Sequence, residues 1–454
     1  MKKIVALIFL ITSFAQAQFN LNGTLTNNLD TDWVILYKIE GPKQKFIKNT
    51  TIKKDTLLID GNKQIIGSFN FQLPANAKVG SYRVSYRTSG ASFVDFIFNK
   101  ENISFAFHPD YPEQTVVFSE SKENIVYRNY LSEVSKQQQK LDSLQITAIR
   151  NPQLDLKKNY KTTLNKINSI QQKYLENAKD MYVLPFIKAS LRVNPSEIKT
   201  NANEYMSNMT STFFDNLDFS NETLLSSSFL IDRITDYVFY INYSENTEKQ
   251  QDLYKKSIET VFSKVKSPVF KKDAIAFLIE QFEASKNLEL IDFLFKNYYD
   301  KLPKSLQSNS FKSEKLTLLA AEVGRIAPDF SWKENDKTLK LSTLKDAKNY
   351  VLIFWSTTCS HCLKEIPKLH KFLQDKEDIK AVAFSLERDA LGWENMKITL
   401  PNWHHVLGLN KWENKVSRTY NISSTPTYFV LDSNKKIIAK PLTLEGLESF
   451  LSKL

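Results

Sequence analysis

Cys359 and Cys362 are the only two cysteines among the 454 residues of the chain, and they stand three positions apart. This spacing suits thiol–disulfide exchange, in which one thiolate attacks a disulfide and a second thiol then resolves the mixed disulfide. A thiolate is favoured at the N-terminus of a helix, where unpaired N–H groups and the helix dipole face it. We expect Cys359 to be the nucleophile and Cys362 the resolving thiol, with protonated His361 adding positive charge beside them.

Three other uses of the cysteine pair have less support. A zinc site needs four ligands, which here would be Cys359, Cys362, His370 and one of His404 and His405. Haem attachment needs a histidine directly after the second cysteine, where Leu363 stands. A structural disulfide across a four-residue loop would close almost no chain entropy. We therefore predict neither a metal site nor a cofactor, and we expect His370, His404 and His405 at the surface.

The cysteines stand where a buried strand is predicted to meet a helix. Residues 349–355 form a continuous apolar run, as in a strand buried on both faces. After Cys359, apolar residues recur at helical spacing up to Leu373. Further strands are predicted at 379–385, 426–431 and 437–439, and a last helix at 444–454. This alternation of strands and helices predicts an α/β domain over residues 321–454.

Four segments of this region recur in the TlpA/ResA-like branch of the thioredoxin family. They are Gly324-Arg-Ile-Ala-Pro-Asp-Phe330, Leu341-Ser-Thr-Leu344, Phe354-Trp-Ser-Thr-Thr-Cys359 and Thr425-Pro426-Thr427. The resemblance covers about 135 residues, under a third of the chain. It implies a central sheet flanked by helices, a periplasmic setting and thiol–disulfide oxidoreductase activity on protein thiols and disulfides.

The same resemblance assigns roles around the dithiol. It implies a cis Thr425–Pro426 bond against the cysteines, with the Thr425 backbone offered to a substrate strand; an ordinary trans proline is the alternative. Trp355 would form a wall of the substrate site. Glu387 would be a buried carboxylate that moves protons to and from Cys362, unless it is exposed as most glutamates are.

The sequence departs from the family pattern at two places, which leaves the direction of electron flow open. Thr358 stands where many relatives carry a second tryptophan. His361, directly before the second cysteine, resembles the histidine of the DsbA-type loop, which stabilises the reduced dithiol and makes the protein an oxidant. A reductase is our leading expectation. A peroxiredoxin shares the Ala327–Phe330 segment, but Leu352 and Ser356 replace its proline and threonine. A binding or scaffold protein with a vestigial thioredoxin module is the third alternative.

The distribution of glycine divides the rest of the chain into two regions. Six of the ten glycines lie between positions 23 and 90, and none lies between Gly90 and Gly324. Residues 18–120 contain about seven short β-branched and aromatic runs, which predict an antiparallel β-sandwich. Residues 121–320 show apolar stripes at helical spacing and predict a helical region. The whole chain is therefore predicted to be multidomain: an all-β sandwich-like domain, a helical region and a thioredoxin-like domain.

Residues 1–17 have the pattern of a signal peptide. Two lysines precede an apolar run, and Ala15-Gln16-Ala17 supplies the small residues that a signal peptidase needs. We expect export to the periplasm or cell envelope without stable membrane insertion, and an electron donor in the membrane or periplasm. The net charge is +11, but 61 basic residues are interleaved with 50 acidic ones. Nucleic-acid binding is not expected.

Overall fold

The computed structural model describes residues 18–26, 31–59, 62–87 and 92–454. The predicted signal peptide, residues 1–17, lies outside these residues. The chain forms two compact units: one reaches Glu280 and includes Phe293–Leu306, and the other comprises Gln281–Asp292 and Gln307–Leu454. The predicted order of a β-rich segment, a helical segment and an α/β segment is confirmed.

The β-rich segment holds two sheets in the described residues, with strand orders β4-β5-β1-β8-β9 and β3-β2-β6-β7. The strands are β1 (Gln18–Leu25), β2 (Trp33–Glu40), β3 (Lys43–Thr51), β4 (Lys53–Ile59), β5 (Asn62–Pro74), β6 (Gly80–Ser85), β7 (Phe93–Phe98), β8 (Ile103–Phe107) and β9 (Val117–Glu120). The inner faces carry aliphatic and aromatic side chains, among them Leu21, Val84 and Phe105. Alternate residues along a strand point to opposite faces, so each strand needs only every second position to be apolar.

The expectation of a wholly antiparallel sandwich is wrong at one pair. Strands β1 and β8 run parallel, with Leu21 opposite Ile103. Parallel neighbours require a long crossover connection. Here the chain leaves β1, forms the whole second sheet and part of the first, and only then returns as β8.

The helical segment follows the predicted apolar stripes. Its helices are α1 (Pro112–Thr115), α2 (Lys122–Arg150), α3 (Lys157–Asn177), α4 (Leu184–Ala189), α5 (Ala202–Ser211), α6 (Glu222–Leu225), α7 (Phe229–Thr235), α8 (Thr247–Lys264), α9 (Pro268–Ala284), α10 (Leu288–Asn297) and α11 (Asn309–Leu318). A π-helix (Asp236–Ile241) continues α7, and short 3-10 turns lie at Tyr299–Lys301 and Lys304–Leu306. None of the helices in the described residues has the length and apolar composition needed to cross a membrane.

Helix α2 is attached to the β-rich segment through its first turn. The Ser121 side chain accepts the Asn124 N–H and caps the helix. The Asn124 amide pairs with the Ile97 backbone in both directions, at 2.8 and 2.7 Å. Through these two bonds the Asn124 side chain pairs with β7 as a neighbouring strand would.

The α/β segment is built on a five-stranded sheet with the order β14-β13-β12-β15-β16. Its strands are β12 (Asn349–Trp355), β13 (Ile379–Glu387), β14 (His404–Leu409), β15 (Thr427–Leu431) and β16 (Ile437–Ala439), and a separate hairpin is formed by β10 (Ser331–Glu334) and β11 (Lys337–Lys340). Its helices are α12 (Ser360–Leu373), α13 (Leu391–Thr399), α14 (Lys415–Thr419) and α15 (Leu444–Leu451), with 3-10 turns at Leu341–Thr343 and Lys411–Glu413.

The central strand β12 is buried on both faces, as its unbroken apolar sequence predicts. Phe354 points into one core and Ile353 into the other, because neighbouring residues of a strand face opposite sides. Strands β13 and β14 run parallel to β12, whereas β15 runs antiparallel to it. The carboxyl ends of β12, β13 and β14 therefore meet at one edge of the sheet, which we call the carboxyl edge.

Candidate active site

Cys359 lies at the carboxyl edge, between β12 and α12. It is the N-cap residue of α12, and its sulfur accepts the Cys362 N–H at 3.3 Å. The Thr425 carbonyl oxygen lies 3.3 Å from the same sulfur and accepts its proton when Cys359 is a thiol. Burial alone would raise the pKa of Cys359, but hydrogen bonds to its sulfur from the Cys362 side chain and N–H, the Thr425 side chain and the His361 N–H lower it below the ordinary value.

Cys362 has the opposite environment. Its side chain has no exposed surface, whereas Cys359 is half-buried. Burial, together with the hydrogen bond to Cys359, raises the pKa of Cys362 to about 12. Both cysteines are free thiols. The two cysteines therefore differ: the half-buried Cys359 has a lowered pKa, and the buried Cys362 has a raised one.

The Thr425–Pro426 peptide bond is cis, which confirms the sequence prediction. Thr425 lies two residues before the start of β15, the antiparallel neighbour of β12. This placement explains how two segments 66 residues apart meet at the Cys359 sulfur.

Glu387 is the last residue of β13 and is only 3% exposed. Its carboxylate accepts the Thr357 N–H at 2.6 Å and the Ser385 hydroxyl at 2.6 Å. The Ser356 hydroxyl donates to its second oxygen at 3.4 Å. Within the described residues, no hydrogen bond joins Glu387 to Cys362. Glu387 instead holds residues 356–358, the loop directly before Cys359.

Comparison with known proteins identifies this arrangement. A family model described as thioredoxin-like matches residues 346–437. The thiol-disulfide oxidoreductase ResA of Bacillus anthracis is 31% identical over 143 residues, which cover 29% of this chain and 79% of that protein. The chain belongs to the thioredoxin family. The relatives it matches are thiol-disulfide oxidoreductases, and ResA of Oceanobacillus iheyensis is another, at 29% identity over 146 residues, 29% of this chain and 72% of that protein.

Solved structures also match the same part of the chain. The thioredoxin domain of a thiol-disulfide oxidoreductase from Bacteroides vulgatus is 26% identical and covers 29% of this chain and 96% of its own, with a TM-score of 0.26. A thiol:disulfide interchange protein from a Bacteroides species is 26% identical and covers 30% of this chain and 91% of its own, with a TM-score of 0.26. We call the five-stranded sheet with helices α12–α15 the thioredoxin domain.

Trp355 and His361, two predicted site residues of the thioredoxin domain, differ in exposure. Trp355 has no exposed surface and packs with Cys362 in the core. It therefore supports the site from within and offers no surface to a partner protein. The His361 side chain is exposed, and within the described residues it makes no hydrogen bond to either cysteine. Only its backbone N–H acts on Cys359.

The sequence analysis missed Glu365 and Tyr428. Tyr428 is buried, and its hydroxyl donates to a Glu365 carboxylate oxygen at 2.7 Å. Burial, the Glu365 carboxylate and the charges of Cys362 and Cys359 all raise the pKa of Tyr428, which places this pair beside the dithiol. Both residues could have been predicted from their spacing. Glu365 follows Cys362 by three positions on α12, so the two share a helix face, and Tyr428 follows Pro426 by two positions at the start of β15.

The expectation that His404 and His405 lie at the surface is wrong, because each is only 8% exposed in β14, a strand that the sequence analysis did not predict. His404 contacts Glu334 through Nδ1 at 3.1 Å and Asp346 through Nε2 at 2.9 Å. These contacts occupy both ring nitrogens. No group of three metal-ligating side chains was found among the residues that the structure describes.

Proposed function

We propose that this protein is a periplasmic thiol–disulfide reductase that acts on disulfides of other proteins. The observation that carries the proposal is the asymmetry of the dithiol: hydrogen bonds lower the pKa of the half-buried Cys359, and burial raises that of Cys362 to about 12. An accessible thiolate attacks, and a protected thiol resolves.

The proposed reaction moves two electrons from the dithiol to the partner. The Cys359 thiolate attacks one sulfur of the partner disulfide; a new S–S bond forms, and the other partner sulfur leaves as a thiolate that takes up a proton. Cys362 then loses its proton and attacks the Cys359 sulfur, which releases the second partner thiolate. The protein ends with a Cys359–Cys362 disulfide and the partner with two thiols.

Cys362 must lose its proton for the second step, and the site offers a group for this purpose. The Glu365 carboxylate lies on the same helix as Cys362. Its partner Tyr428 lies close enough to the dithiol for the charges of both cysteines to raise the pKa of Tyr428. We propose that Glu365 accepts the Cys362 proton. In this mechanism Glu387 keeps the loop before Cys359 in place, since one of its oxygens accepts the Thr357 N–H and the other accepts the Ser356 hydroxyl.

The proposed direction of electron flow, from the dithiol to the partner, rests on the position of the His361 side chain. A dithiol becomes an oxidant when the protein stabilises its reduced form strongly. A protonated histidine bound to the thiolate would do this, but the His361 side chain is exposed and makes no described hydrogen bond to Cys359. Without that stabilisation a reductase is favoured.

The test of direction is the redox potential of the full chain, measured by equilibration with a dithiothreitol or glutathione buffer. A value near −270 mV or below supports a reductase, and a value near −120 mV indicates an oxidant and contradicts the proposal. The location is tested separately. Protein recovered from the periplasmic fraction should begin at Gln18, and a chain that keeps residues 1–17 in the cytoplasm would contradict export.

A further inference from the structure

The carboxyl edge carries a fixed positive charge that the proposed reaction does not use. We propose that Lys411, with the exposed Trp412 beside it, selects partner segments in which a carboxylate stands next to the reactive cysteine. This inference rests on the proposed function and names the class of protein substrate that the dithiol prefers.

The backbone holds Lys411 toward the dithiol. Asn410 and Lys411 both adopt left-handed conformations, with φ of 70° and 45°. Such conformations are uncommon for residues other than glycine and persist where the surroundings impose them. The Lys411 ammonium donates to the Thr358 hydroxyl at 2.8 Å, and Thr358 directly precedes Cys359. An ammonium has three N–H donors, so two remain for a partner.

Within the described residues, no carboxylate neutralises Lys411. The acidic groups of the same edge are engaged elsewhere. Glu387 is buried against Thr357, and the carboxylate of Asp389 accepts the Leu391 N–H. Glu413 pairs with Arg418. A second cation, Arg388, is exposed at the end of β13. The Lys411 ammonium therefore faces an approaching partner without an ion-pair partner among the described residues.

Two exposed apolar side chains lie close to Lys411 in the sequence. Leu409 is 44% exposed and Trp412 46% exposed, one on each side of Lys411 in the sequence. Leu409 pairs with Glu387 in the sheet, so both lie at the carboxyl edge. An exposed cation with large apolar residues beside it in the sequence fits a partner segment that carries an apolar residue and a carboxylate. Fixed charges of one sign favour partners of the opposite sign.

The experiment compares two peptides that differ only in charge. Each carries one cysteine as a mixed disulfide with 2-mercaptoethanol, flanked by aspartates in one peptide and by lysines in the other. Single-turnover reduction by the pre-reduced full chain is followed at low salt, and each rate is divided by the rate with free dithiothreitol to remove intrinsic reactivity. An attraction between exposed charges changes a rate by roughly twofold to fivefold, so exchanging attraction for repulsion should give a ratio of about tenfold.

We expect the wild-type chain to reduce the aspartate peptide about tenfold faster, with the ratio falling steeply in high salt. Lys411→Gln, which can still donate to Thr358, should bring the ratio close to one. Lys411→Glu should reverse it. Lys345→Glu is the matched control. Lys345 is exposed and precedes β12, toward the opposite edge of the sheet, so this variant should keep the wild-type ratio.

The outcomes separate this inference from the function on which it rests. If both peptides are reduced at equal corrected rates, or if Lys411→Gln keeps the wild-type ratio, charge selection by Lys411 is refuted while the reductase proposal stands. If the wild-type chain reduces neither peptide, the proposed function fails and this inference fails with it.

Discussion

Replacing Glu387 distinguishes the two roles that a buried carboxylate beside a dithiol could have. In the structure Glu387 accepts the Thr357 N–H and the Ser385 hydroxyl, each at 2.6 Å, and it is only 3% exposed. Glu387→Gln keeps an oxygen that can accept both hydrogen bonds and removes the charge. Glu387→Ala removes the acceptor of both bonds. A loop anchor should tolerate the first change and fail after the second.

The contacts set the expected cost of each change. A buried donor left without an acceptor costs about 1–3 kcal/mol, so Glu387→Ala, which takes the acceptor from the Thr357 N–H and the Ser385 hydroxyl, should lower the free energy of unfolding by about 4 kcal/mol. Glu387→Gln loses only the charge contribution to the bonds and should cost about 1 kcal/mol. With a urea dependence of about 2 kcal/mol per molar, the unfolding midpoint should fall by about 2 M and about 0.5 M respectively.

Tryptophan fluorescence is a suitable signal, because five of the six tryptophans lie between residues 332 and 412. Reduction of insulin, coupled to dithiothreitol, gives the activity of the same samples. We expect Glu387→Gln to keep turnover within about threefold of wild type and Glu387→Ala to lose tenfold or more. A glutamine variant that unfolds near the wild-type midpoint but loses about a hundredfold in turnover would show that the carboxylate transfers protons, and would refute the anchoring role.

Three further predictions follow from the same site and its surroundings. At pH 8, iodoacetamide should label Cys359 of the reduced chain and spare Cys362, since hydrogen bonds lower the pKa of Cys359 and burial raises that of Cys362 to about 12; equal labelling seen by mass spectrometry would contradict this asymmetry. Tyr428→Phe removes the hydroxyl that donates to Glu365 and should lower the free energy of unfolding in urea by about 1 kcal/mol, and an unchanged midpoint would show that the bond contributes nothing. His404→Ala leaves two carboxylates without their shared partner and should cost about 1–3 kcal/mol in the same measurement, whereas a variant as stable as wild type would count against a stabilising role for these contacts.

The dithiol could be predicted from the sequence because local patterns determine its placement. The apolar run of β12, the helical spacing after Cys359 and the two-residue gap between the cysteines are all read within one short stretch. The segment containing Thr425 and Pro426 is distant in the sequence and entered through the family resemblance alone.

The contacts of Glu387 and His404 could not be predicted in this way. Glu387 meets Thr357 across 30 residues only because β13 pairs with β12 in one particular register. His404 meets Glu334 and Asp346 across 70 and 58 residues. Its strand begins with two histidines, so the apolar pattern that marks a buried strand is weak there. Such contacts depend on tertiary structure, which a single sequence does not display.

The central claim is that Cys359 attacks and Cys362 resolves, and trapping of the mixed disulfide tests it most directly. Full-length Cys362→Ser and Cys359→Ser variants are incubated with a disulfide-containing protein such as insulin, and covalent adducts are located by mass spectrometry of non-reduced peptides. The account predicts a stable adduct through Cys359 in the Cys362→Ser variant and none in the Cys359→Ser variant. An adduct through Cys362 in the Cys359→Ser variant, or no adduct in either, would contradict it.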